Sequence, residues 1–150
     1  MIYLMEKYFT VFSVSAFKFI LGPVTGYFLE LSQLETIITT VLGMMATVII
    51  IAYAGSSLRD RVLRLFFRKR RIFSPRNRKV VKIWRKYGVW GVAFLTPLLF
   101  SPPIGAAIAV SFGEKKMKIF SSMLASAIFW GIFFTYLVLL GGEKVTYYFS

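Results

Sequence analysis

The sequence contains no cysteine and no histidine. That removes disulfides, thiol nucleophiles, imidazole bases and the usual zinc and haem ligands. Acids are scarce too: Glu6, Glu30, Glu35, Asp60, Glu114 and Glu143 make up the whole set. Scattered in this way they assemble no acid–base pair and no nucleophile–base arrangement, so neither catalysis, nor a metal, nor a cofactor is expected. Charge of either sign is missing from residues 36–58, 87–113 and 119–142. Each run is long enough to cross a hydrocarbon core of about 30 Å as a helix. A fourth apolar run, 8–29, is interrupted only by Lys18. No basic start precedes it and no small-residue cleavage site stands out, so a removable signal peptide fits poorly.

What is present is apolar or basic. Hydrophobic residues make up 57% of the 150, charged residues 17%, and the net charge is +13. The length suits one compact domain, and the composition suits a membrane. Most of the positive charge lies in residues 59–86, where Arg59, Arg61, Arg64, Arg68, Lys69, Arg70, Arg71, Arg76, Arg78, Lys79, Lys82, Arg85 and Lys86 face a single acid, Asp60. Basic loops stay in the cytoplasm, which orients the rest. Leu58, Val62, Leu65 and Phe66 recur at helical spacing, as do Val80, Trp84 and Tyr87, and Ser74-Pro75-Arg76-Asn77 reads as a turn between two short helices. The segment reads either as ordinary topology-setting charge or as a pair of amphipathic helices on anionic headgroups, and the two are compatible. Arg68, Lys69, Arg70, Arg71, Lys79, Lys82, Arg85 and Lys86 are the candidate lipid-surface residues. No nucleic-acid module is recognisable, so nucleic acid is not an expected partner.

The short loops discriminate between two architectures. If every apolar run crosses the membrane, Lys115, Lys116 and Lys118 emerge outside, on the wrong side for lysines. If residues 87–113 dip in and return, these lysines stay cytoplasmic, and Glu30 and Glu35 flank an outer connection. Pro97, Pro102 and Pro103 favour the second version. Each lacks an amide donor, and adjacent prolines do not suit a straight helix. Broken backbone at membrane depth survives only where protein or a wet cavity satisfies it. A kinked full span is the competing form.

The first run carries a similar break, Gly22-Pro23-Val24-Thr25-Gly26, which aligns with Ser101-Pro102-Pro103-Ile104-Gly105 at an offset of 79 residues. The same offset pairs Gly26 with Gly105, Ser32 with Ser111, Glu35 with Glu114, Ala46 with Ala125 and Leu58 with Leu137. The expected fold is therefore an all-α integral membrane protein built from two inverted repeats. Each repeat is a proline-broken re-entrant hairpin followed by one transmembrane helix, the pattern of many transporters. Repeat one covers about 8–58, the cytoplasmic loop 59–86, and repeat two about 87–142.

Arg85-Lys86-Tyr87-Gly88-Val89-Trp90-Gly91, then Phe94-Leu95-Thr96-Pro97, the Pro102-Pro103-Ile104-Gly105 turn and a closing aromatic span resemble the DedA/VTT membrane family. Short chains with such hairpins are also similar to its "small multidrug export" relatives. The resemblance implies two re-entrant hairpins facing each other and movement of phosphate-bearing lipid headgroups across a bacterial inner (plasma) membrane. Family members carry arginines beside the hairpin proline and acids in the first hairpin; here Thr96 precedes Pro97, Phe100 follows, and no acid lies between Lys7 and Glu30.

Lys18 is the one charge inside an apolar run and the natural phosphate partner, unless it snorkels to an interface. Thr25, Thr96 and Ser101 offer hydroxyls, or else cap broken helix ends. Unwound backbone around Pro23, Gly26, Pro97, Pro102, Pro103 and Gly105 completes the expected substrate site with its amides. Gly43, Ala46, Ala125 and Gly131 suit close helix packing, and Trp84, Trp90, Trp130, Tyr147 and Tyr148 suit interface anchors. The leading functional expectation is translocation of an anionic lipid headgroup. The alternative is a non-transporting scaffold or accessory subunit, and a homodimer or larger membrane complex fits either.

Overall fold

A computed structural model describes residues 1–54, 61, 64 and 75–149, and all regular structure among them is helical. Two helices are long and apolar enough to cross a membrane by length and composition: Gln33–Tyr53 and Lys116–Lys144, each with mean hydropathy 2.1. The elements are α1 (Ile2–Phe17), α2 (Leu21–Phe28), α3 (Gln33–Tyr53), α4 (Pro75–Leu99), α5 (Pro102–Ser111) and α6 (Lys116–Phe149). Each half therefore runs helix, short helix, long helix.

Local chemistry explains the boundaries. α3 opens on a capping box: Ser32 Oγ accepts from the Glu35 amide at 3.3 Å while the Ser32 amide donates to Glu35 Oε2 at 2.9 Å. Its 21 residues span about 31 Å at 1.5 Å per residue. α5 has Ser101 at its N-cap and prolines in its first turn, where a missing N–H has no helical partner to lose. α4 is kinked at Gly88 (φ 64, ψ −150), backbone reserved in practice for glycine. That kink separates the basic part of α4 from its apolar part.

The first two helices of each half form a hairpin. Lys7 Nζ donates to the Leu29 carbonyl at 2.8 Å, joining the start of α1 to the end of α2. In the other half Trp84 stacks on Phe112 at 4.2 Å, closing the base of the α4–α5 pair. Both hairpins are zipped by a glycine against a hydroxyl residue. Gly22 lies against Ser15 and Thr40, and Gly105 against Thr96, so closely that a Cβ could not be added to either glycine.

The long helices run antiparallel. Tyr53, at the end of α3, stacks on Phe120 at 5.9 Å, and Lys116 Nζ sits 4.2 Å over the Tyr53 ring. Further along, Gly131 of α6 faces Val41 and Ile37, which a Cβ added there would meet at 3.5 and 3.7 Å. Each long helix also packs on the short helix of the opposite half, α3 on α5 and α6 on α2. The shared core is Phe19, Met44, Val48, Ile51, Ile119, Met123, Ala127 and Trp130 with the alanines of α5.

Several expectations need correcting. The break in the first run is not at Pro23. It falls at residues 18–20, and α2 continues through Gly22-Pro23-Val24-Thr25-Gly26 because Pro23 stands in its first turn. Pro75 begins a helix, so it does not form a turn, and α4 continues from there as far as Leu99. α6 extends beyond residue 142 to Phe149. Trp130 is no interface anchor: it is 9% exposed, and its indole donates to the Phe94 carbonyl at 2.8 Å.

Candidate functional site

The two hairpin tips meet. α1 ends at Phe17, Lys18 adopts extended backbone (φ −144, ψ 102), and residues 18–20 reverse the chain into α2. The opposing tip, Phe100 and Ser101, reverses α4 into α5. Between them lies a mostly apolar cleft of about 790 Å³, walled by Lys18, Thr47, Pro97, Phe100, Ser101 and Pro103, among others. Its size is typical of a small-molecule site. Lys18 is exposed and, among the described residues, the only charged one in the lining.

Pro97 deletes the amide that would bond to the Ala93 carbonyl four residues back. Ser126 of α6 fills the gap, donating to the Ala93 carbonyl at 2.6 Å. In the other half Thr47 of α3 donates to the Ala16 carbonyl at 3.1 Å, one of the carbonyls that the end of α1 leaves without a helical donor. Thr47 and Ser126 stand 79 residues apart, the offset read between the two proline motifs. A hydroxyl on each long helix thus seals the broken end of the first arm of a hairpin.

The sequence-predicted site residues divide into groups. Lys18, Pro97, Ser101 and Pro103 line the cleft. Pro102 is buried at the start of α5. Thr96 is fully buried, with its hydroxyl on the Val92 carbonyl at 2.7 Å and its side chain against Gly105. Pro23 lines a different pocket, beyond α2, and Gly26 is buried against Thr36. Thr25 returns its hydroxyl to the Leu21 carbonyl at 2.7 Å.

Part of the expected set of amides is engaged within the turns themselves. Pro102 and Pro103 have none, and Ile104 donates to the Ser101 carbonyl at 3.0 Å. At the other tip Leu21 and Gly22 donate to the Lys18 and Phe19 carbonyls at 3.1 and 3.0 Å. Among the described residues Lys18 is the one charged donor lining the cleft. Ser101 Oγ is buried without a hydrogen-bond partner. The chain matches no family model, no curated protein and no solved structure.

Of the proposed lipid-surface residues, Arg68, Lys69, Arg70 and Arg71 lie outside the described residues. Lys79, Lys82, Arg85 and Lys86 are exposed on α4, together with Arg78. At 100° per residue these five share one third of the helix circumference, roughly opposite Trp84, which holds α4 to Phe112. Among the described residues no group of three or more acids could hold a metal ion. Thr47 was missed by sequence reasoning. Its only signal was a hydroxyl in an apolar run 79 residues before Ser126.

Proposed function

We propose that the chain is an integral membrane protein of DedA-like design, in which two re-entrant hairpins meet and carry the anionic headgroup of a lipid between leaflets. One observation carries this reading: Lys18 and the Pro97–Ser101–Pro103 turn, far apart in sequence, wall a single cleft between two hairpin tips. Mostly apolar walls suit the body of an amphiphile, and a lone ammonium suits its head. The antiparallel long helices and the matching order of elements in the two halves support an inverted repeat. The position of Lys116 over Tyr53, and of Trp84 against Phe112, supports a common side for residues 115–118 and the basic segment.

The step is binding and reorientation with no covalent chemistry. A headgroup entering the cleft exchanges hydration for Lys18, the charged donor among the described lining residues. Lys18→Met keeps the stem and deletes the charge, so it folds like the native chain and loses translocation of phosphate-bearing lipid in proteoliposomes. Lys18→Arg retains part of the activity, since a guanidinium also pairs with phosphate. Equal transport by the Met variant would remove Lys18 from the mechanism. A native protein that moves no anionic lipid would favour a scaffold, a reading supported by the outward basic face of α4.

A further inference from the structure

At the end of α2 remote from the cleft, the chain makes a turn that recurs in the second half with different chemistry. Leu31 donates to the Gly26 carbonyl at 3.0 Å and Glu30 to the Tyr27 carbonyl at 3.1 Å, a Schellman closure with Glu30 at φ 57. α5 closes similarly, with Gly113 donating to the Val110 carbonyl at 3.1 Å at φ 76. Glycine adopts that backbone freely, whereas a side chain resists it. Among the described residues Glu30 is the one non-glycine with positive φ. A glutamate held where the sister turn has glycine calls for a cause outside the turn.

Glu30 lines a pocket of about 460 Å³ together with Tyr27, Phe28, Gln33, Thr36 and Thr135. Among the described residues its carboxylate is the only formal charge in that lining, in a chain of net charge +13. Among the described residues this carboxylate has no hydrogen-bond or ion-pair partner. Lys7 lies nearby in the fold, but its ammonium is on the Leu29 carbonyl and it does not line the pocket. Thr135 is 4% exposed, and its Oγ1 has no hydrogen-bond partner. A buried hydroxyl is rarely left so unless something else supplies the bond. Tyr27 and Phe28 add two rings in edge contact, with centroids 6.0 Å apart. An unpaired carboxylate, aromatic rings and hydroxyl acceptors together suit a positively charged nitrogen.

We propose that this pocket binds an organic ammonium group. Glu30 is its counter-ion, Thr135 Oγ1 and the Gln33 carbonyl accept its N–H groups, and the Tyr27 ring covers one side. The site is independent of the Lys18 cleft and stands whether or not the cleft carries lipid. The ammonium belongs either to a soluble amine or to the headgroup of a lipid, and the test separates the two.

The full chain in detergent is titrated with ethanolamine against matched sodium chloride, following the Gln33 side-chain amide and Tyr27 ring resonances. In parallel it is placed in nanodiscs of phosphatidylethanolamine or phosphatidylglycerol. Saturable shifts with free ethanolamine identify a soluble amine, and shifts confined to phosphatidylethanolamine discs identify a headgroup. Glu30→Gln weakens whichever effect is seen by about tenfold or more, as loss of a charged hydrogen bond requires. Thr135→Val weakens it less without unfolding the chain. Glu30→Gly abolishes it while raising the thermal midpoint, because glycine relieves the turn. The proposal falls if neither probe shifts the native resonances or if Glu30→Gln binds equally well. It also falls if Glu30→Gly melts below the native chain, which would make Glu30 a structural residue.

Discussion

Pro97 and Ser126 form a pair whose energetics can be isolated. Pro97 has no amide, so the Ala93 carbonyl receives no bond from its own helix, and the Ser126 hydroxyl donates to it at 2.6 Å in a buried setting. Ser126→Ala leaves that carbonyl without a partner, at a cost of about 1–3 kcal/mol. For a chain of this size that lowers the thermal midpoint by about 2–12 °C. In a Pro97→Ala background the new amide can take the Ala93 carbonyl, and the same Ser126→Ala change then costs under about 1 kcal/mol. The control is Ser122→Ala. Ser122 is equally buried, but its hydroxyl bonds at 3.0 Å to the Ile119 carbonyl of its own helix, so its loss is also expected below about 1 kcal/mol. Thermal unfolding of the four members of the cycle in detergent measures the coupling. An equal cost for Ser126→Ala with and without Pro97 would refute the idea that the serine repairs the proline break.

Three further outcomes follow from the same geometry. Single cysteines at Lys116 and Asn77, in a chain that has no native cysteine, should be labelled from the same side by an impermeant reagent; labelling from opposite sides would exclude re-entry of residues 87–113. A peptide covering residues 59–86 should bind anionic vesicles and release as salt rises, since each basic residue contributes about 1 kcal/mol within a Debye length of about 8–10 Å; indifference to salt or to lipid charge would mean that charge does not hold it. Gly88→Ala should destabilise by about 1–3 kcal/mol through backbone strain alone, because nothing lies within 4 Å of the added Cβ. Gly141→Ala meets equally open space in a regular helix and should stabilise by up to about 1 kcal/mol, so thermal midpoints moving in the same direction would contradict the assignment.

Helices were legible where one physical signal dominated. Uncharged runs over 36–58 and 119–142 mark α3 and α6, because chains this apolar bury or cross as helix. The break in the first run was misplaced because proline has two opposite effects. Inside a helix it breaks the ladder, but in the first turn it costs nothing. Pro23 is of the second kind, and the real reversal at residues 18–20 carries no proline or glycine. Trp130 was misread because an aromatic residue in an apolar run suits an interface or a core equally. Only the Phe94 carbonyl, reached through the folded chain, decides between them. Lys18 was visible as an isolated charge. The engagement of the Leu21, Gly22 and Ile104 amides within their own turns was not, because it depends on which carbonyls the folded turns present to them.

The halves share a scaffold and differ where chemistry is concerned. Both have a hairpin zipped by glycine on a hydroxyl residue, and both have a long-helix hydroxyl that seals the end of the first arm. At the tips, Lys18 stands opposite the uncharged Phe100 and Ser101. At the ends of the short helices, Glu30 stands where its counterpart is Gly113. The first hairpin therefore carries a cation at its tip and an anion at the positive-φ position that closes its second arm, while the matching positions of the second, Phe100–Ser101 and Gly113, are uncharged. Each departure also opposes the preference of its surroundings: a lysine within an apolar run, and a side chain at a positive φ. Packing alone would favour an apolar residue at the first and glycine at the second. On these proposals the first hairpin contacts ligand at both ends; the second hairpin supplies the opposing wall at the cleft, and α3 and α6 supply it at the pocket.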